Sequence, residues 1–144
     1  NWIREKQEEG KHDVIYHFVG VGYLGGNYKN ILKRLCVEVS SLYGLVFEEE
    51  DDDYGYDYKS TLSRLLAQIK ADKRLYLVID GLQHLPEYDD SKTLDWLPSV
   101  PDNVTLLVTT PYYDRTNDIF YRRYGSRSYL DSFEMSWKGL WKSI

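Results

Sequence analysis

The chain has 144 residues, 42% of them hydrophobic and 15% aromatic, which is enough apolar material for one compact domain and leaves little room for a second. Its 18 basic and 23 acidic residues give a formal charge of −5, so it offers no basic field to a nucleic-acid backbone, and nucleic acid is not an expected partner. The single Cys36 excludes an internal disulfide and no run of about 18 apolar residues exists to span a bilayer; no membrane association and a reducing, cytoplasmic setting are expected.

Residues 1–11, NWIREKQEEGK, are charged helix formers stopped by Gly10, the pattern of a helix whose apolar turns lie upstream. With Asn1 first, no signal peptide and the one methionine at Met135, the chain reads as a piece of a longer protein. DVIYHFV, residues 13–19, is β-branched or aromatic at nearly every position and predicts a strand buried on both faces. The glycine loop GVGYLGG leads to Asn27, an N-cap candidate for a helix over 27–43 whose Ile31, Leu35, Val39 and Leu42 fall on one face and which Gly44 stops.

An acidic run, EEEDDD at 48–53, reads as a solvated loop followed by the alternating Tyr54, Tyr56 and Tyr58. A second amphipathic helix over 59–73 places Leu62, Leu65, Leu66 and Ile69 together, with Asp57 or Ser60 as its cap. LYLVID, residues 75–80, is the most apolar strand-like run and ends on Asp80, directly before Gly81. SKTLDWLPSVPDN predicts a short helix with Leu94 and Leu97 inward, stopped by Pro98 and Pro101. VTLLVTT, residues 104–110, is a third strand, DRTNDIFYRRYG is helical, and 126–144 forms a tail of unassigned structure after a domain over 1–125. Strands alternating with amphipathic helices define an α/β class with a parallel sheet.

Two nucleotide chemistries compete for this pattern. Gly20, Gly22 and Gly25 match the G-x-G-x-x-G turn of a dinucleotide-binding oxidoreductase, with Glu48 after LVF as the ribose-holding acid. Against this, Gly26 and Asn27 lengthen the turn and LVFEEE is a meagre strand, so a plain connection from strand to helix is the preferred reading. A third possibility is a non-catalytic interaction module that works through the acidic loop and the tyrosines.

Asp80 supports the other chemistry. An apolar strand ending in aspartate is how P-loop NTPases hold the water shell of Mg²⁺. LYLVIDGLQHL resembles the Walker B segment of NACHT-type STAND NTPases; VIYHFVG and W-L-P…P-x-N-V-T-L-L-V-T-T resemble the second strand and the sensor-bearing fourth strand of that family, over residues 1–115. The likeness is to the nephrocystin-type and telomerase-associated branch, whose members carry the module within large proteins with repeat arrays. It implies a partial P-loop NTPase fold: a three-layer parallel sheet flanked by helices, ordered 13–19, 75–80, 104–110 with 75–80 in the middle.

It also implies ATP with Mg²⁺ as ligand in an intact parent that switches conformation for signalling or assembly, and protein partners engaged through the flanking or repeat regions. Asp80 would orient Mg²⁺, Thr110 with Thr109 beside it would sense the terminal phosphate, and His84 or Gln83 would position water. The chain departs from the family where Gln83 and His84 replace the usual acids, and Arg115 is only a distant substitute for the sensor arginine. G-x-x-x-x-G-K-[ST] is absent throughout, so the phosphate cradle is expected upstream of Asn1 and the chain by itself is expected neither to retain nor to hydrolyse ATP.

Overall fold

The computed structural model describes residues 12–21, 26–48, 55–87, 90–111 and 113–124. In chain order these form strand β1 (Asp13–Phe18), helices α1 (Tyr28–Tyr43) and α2 (Tyr58–Ala67), strand β2 (Leu75–Asp80), 3₁₀ turns at Leu82–His84 and Asp90–Thr93, strand β3 (Val104–Val108) and helix α3 (Arg115–Tyr124). The strands make one sheet in the order β1-β2-β3. Both pairings are parallel, with Phe18 opposite Asp80 and Ile79 opposite Val108. Each crossover is long enough to carry a helix, which is the condition for parallel neighbours.

Alternation along the strands places Ile15, Leu77 and Ile79 on one face, and all are buried. Against them pack Ile31, Leu35 and Val39 of α1 and Leu62, Leu65 and Leu66 of α2, in one continuous core, whereas Leu42, expected on the same face, is exposed in the last turn of α1. Burying each such side chain contributes about 1.5–3 kcal/mol, so these two helices are held mainly by this face. The described residues thus supply a helical layer on that face; the segment expected to form a helix at residues 1–11 lies outside them, as do the 126–144 tail and most of the acidic loop.

The helix ends have local causes. Asn27 accepts from the Lys29 amide at 2.9 Å and starts α1, which Gly44 terminates. Asp57 accepts from the Ser60 amide at 3.0 Å and starts α2. That helix stops at Ala67 rather than running to residue 73, and Asn103 Nδ2 then donates to the carbonyls of Ile69, Lys70 and Lys73.

The strands are shorter than their apolar runs predict. β1 stops at Phe18 and β3 at Val108, although Val19 N still donates to Asp80 O and Thr109 N to Ile79 O. The helix predicted around Leu94 is instead the 3₁₀ turn Asp90–Thr93, after which Leu94 takes φ 59°. Leu94 and Leu97 are nevertheless inward, with Trp96 Nε1 donating to Ser91 O at 2.6 Å. Pro98 offers no helical amide and biases Leu97 towards extended backbone, so the segment does not run on as an α-helix, while burial of its apolar residues persists. Residues 45–48 are irregular, so Glu48 does not end a strand. Among the described residues no helix is long and apolar enough to cross a membrane.

Candidate functional site

Asp80 closes the middle strand at its carboxyl end, the position where open parallel sheets present ligand-binding groups. Its side chain lies on the face opposite the helical core and is gripped from both neighbouring strands. Tyr16 of β1 donates its hydroxyl to Asp80 Oδ2 at 2.6 Å. Thr109, just beyond β3, donates its hydroxyl to Asp80 Oδ1. Burial, the hydrogen bond to Asp80 and its charge all push the Tyr16 phenol above the ordinary tyrosine range, so it stays a protonated donor.

The turn after Asp80 is built around Gly81, whose φ of +87° suits a residue without Cβ. Its amide donates to Thr109 Oγ1 at 3.0 Å, and Leu82 N donates to Thr109 O at 3.0 Å. Thr109 is therefore a staple across the Ile79–Leu82 turn as well as a partner of the carboxylate. Thr110 faces elsewhere: its hydroxyl lies 2.6 Å from that of the fully buried Thr116, which also donates to Asp114 Oδ1 at 2.6 Å. Asp114 also accepts the Thr116 amide, so Thr110 stands against the start of α3.

Gln83 and His84 occupy the 3₁₀ turn, with Gln83 Nε2 and His84 Nε2 3.2 Å apart. Gln83 Oε1 is buried and has no hydrogen-bond partner among the described residues. His84 is exposed but forms the wall against which the glycine loop closes: a Cβ on Gly20 would stand 3.0 Å from His84 Cβ, and one on Gly81 3.1 Å from His84 Cδ2. Gly20, at φ +83°, is thus accounted for by backbone geometry and this close approach, while Gly22 and Gly25 of the dinucleotide pattern lie outside the described residues.

Chemically, the arrangement is a single oriented carboxylate. Each oxygen accepts one hydrogen bond and keeps a second acceptor site open, which suits the water shell of a divalent ion better than enclosure of a bare one. Among the described residues no group of three or more His, Cys, Asp or Glu is placed to hold a metal.

The chain is 24% identical over 111 residues to the NACHT and WD repeat domain-containing protein 2 of Homo sapiens. That is a distant likeness. It covers 76% of this chain and 6% of that protein. No family model matches the chain, and no solved structure matches it.

At the same end of the sheet, but apart from Asp80, a cleft of about 480 Å³ opens between the N-terminal ends of α1 and α2. Tyr28 and Trp96 stack along it with ring centroids 6.0 Å apart, and Lys29, Lys59 and Asp57 also line it. Tyr16 is the site residue that sequence reasoning misses. Its hydroxyl is indistinguishable from those of the other 13 tyrosines among the 14 in the chain until the β1-β2 register puts it beside Asp80.

Proposed function

We propose that this chain is part of a NACHT-related nucleotide-binding domain, in which Asp80 accepts the water shell of Mg²⁺ bound to ATP. The observation that carries the reading is the position of Asp80 at the mouth of the middle strand of a parallel sheet, its carboxylate held by both flanking strands. The distant likeness to a protein with NACHT and WD repeat domains supports it independently of geometry.

Mg²⁺ would supply charge neutralisation on the β- and γ-phosphates. On this chain Asp80 would hold the ion's waters in one direction, with Thr109 keeping the turn beneath it closed. Thr110, next along the chain, would sense the terminal phosphate only by turning its hydroxyl away from Thr116, which would release the start of α3. His84, which is exposed, or Gln83, whose oxygen is buried and would have to turn outward, would orient water. Because both replace acids, hydrolysis would be slow or absent and nucleotide would serve as a conformational switch. The phosphate cradle and its lysine must come from another segment of a longer protein, since no G-x-x-x-x-G-K-[ST] is present.

Titration calorimetry with Mg²⁺-ATP tests this, comparing this chain with a form extended upstream by about 30–40 residues, the length of a strand, phosphate loop and helix. Saturable binding by the long form, lost on Asp80→Asn, and none by the short form is expected. Tight binding by the short form, or an extended form indifferent to Asp80→Asn, contradicts the proposal.

A further inference from the structure

Tyr16 is fixed at three points. Its ring stands edge-on to Phe18, with centroids 4.0 Å apart and planes at 70°. Its backbone carbonyl accepts from Arg34 Nη2 at 3.2 Å, and Arg34 is itself held by a 2.6 Å contact to His17 Nδ1 and a 2.6 Å ion pair with Glu38. Its hydroxyl, brought from 64 positions away in sequence, bonds Asp80 Oδ2. A phenylalanine would meet the packing requirement, as Phe18 does two residues later on the same face. What the hydroxyl adds is the bond to the carboxylate.

We propose that Tyr16 is a positioning residue that sets the direction in which Asp80 presents its carboxylate to a divalent cation and its water shell. The proposal rests on the reading of Asp80 as the magnesium acceptor. Thr109 grips one oxygen and Tyr16 the other, so the carboxyl plane cannot turn about Cβ–Cγ, and the remaining lone pair on each oxygen points in a defined direction. Without the phenol the carboxylate is held at one oxygen only. Its acceptor directions then spread, and the ordering must be supplied when the ion binds. Partners of directly metal-bonded groups commonly change affinity by about 10–100-fold when lost, and behind a carboxylate that meets the ion through water the lower end of that range is expected.

The experiment uses the whole chain and Mn²⁺ alone as probe, following paramagnetic broadening of the Asp80 and Gly81 amides by NMR. Tyr16→Phe is expected to weaken Mn²⁺ binding about tenfold. Tyr76→Phe, which removes a hydroxyl from the same sheet face, is expected to leave it unchanged. Equal affinity of Tyr16→Phe and the unsubstituted chain overturns the proposal. No broadening at Asp80 in the unsubstituted chain overturns this proposal, whereas the reading of Asp80 as acceptor of nucleotide-bound Mg²⁺ is decided by the calorimetry on the extended form. The contact has a separate readout in the carbon-13 chemical shift of the Tyr16 ring carbon bearing the hydroxyl at neutral pH. Asp80→Asn should move that shift, and an unchanged shift overturns the positioning contact whatever the metal does.

Discussion

Thr109 reaches across from the end of β3 to close the turn that carries Asp80, donating its hydroxyl to Asp80 Oδ1 while accepting from the Gly81 amide at 3.0 Å. Thr109→Val keeps the shape and β-propensity but removes both bonds. Because Thr109 is exposed, water replaces part of what is lost, and a destabilisation of about 1 kcal/mol in urea unfolding is expected, with Thr109→Ser near neutral. Hydrogen exchange at Gly81 should accelerate in the valine variant. Unchanged protection there would show that the hydroxyl does not staple the turn.

Gly20 meets two constraints at once, a φ of +83° and a Cβ position 3.0 Å from His84 Cβ. Gly20→Ala should cost about 1–3 kcal/mol. In a His84→Gly background the contact disappears and only the backbone strain of about 1–2 kcal/mol remains. A double-mutant cycle from chemical denaturation should therefore be non-additive. Strict additivity would mean that the loop and His84 do not touch, and would return the glycines to consideration as a ligand-facing turn.

Asn103 ties the chain before β3 to the end of α2 through one amide nitrogen shared among the Ile69, Lys70 and Lys73 carbonyls, at 3.3, 3.1 and 3.2 Å. Asn103→Leu leaves those carbonyls to water and is expected to lower stability by about 1–2 kcal/mol. Asn103→Asp should be worse at neutral pH, where a carboxylate faces carbonyl oxygens, and should recover relative to the unsubstituted chain near pH 3, where the protonated acid can donate. A pH-independent difference between aspartate and asparagine would contradict this bonding.

Stability should fall on both sides of neutrality, for opposite reasons. Burial pushes the Cys36 thiol from 9.0 up to about 12, opposed in part by Arg64. Burial, with hydrogen bonds to Asp80 and Asp13, also raises the phenols of Tyr16 and Tyr43 from 10.0. Groups raised in the folded state contribute stability that is whole below their unfolded values, so it should decline as pH climbs from about 9. On the acid side, Asp57 is lowered from 3.8, first by the Ser60 hydroxyl and then by the Ser60 amide. Its contribution is present above that value and is lost as pH falls below it. Asp57→Ala should cost about 1 kcal/mol at pH 7 as a lost N-cap and flatten the acid limb. Urea midpoints from pH 3 to 11 check both limbs. A Tyr43→Phe variant with an unchanged alkaline slope would exclude Tyr43 as a contributor.

Much of the architecture was legible because it depends on local pattern. LYLVID is apolar at every position but its last, and a strand with no polar alternation belongs in the middle of a parallel sheet. Asn27 and Asp57 cap their helices as their residue types predict. The segment around Leu94 has the apolar spacing of a helix, and the same spacing is met by the 3₁₀ turn and left-handed Leu94 that precede the prolines. Thr109 and Thr110 are equivalent as text, yet the alternation of side chains sends one to Asp80 and the other to Thr116.

The order of amino acids by itself determined that a carboxylate would stand at the exit of a buried strand, because apolar runs, glycines and helix caps act over a few neighbouring residues. Only the tertiary structure decided what surrounds that carboxylate. A parallel register brings Tyr16 and Thr109 to its two oxygens from opposite sides, and a shift of one residue in either pairing would turn those side chains to the other face of the sheet. Contacts of that kind follow from how separate strands align, which no local stretch of sequence contains.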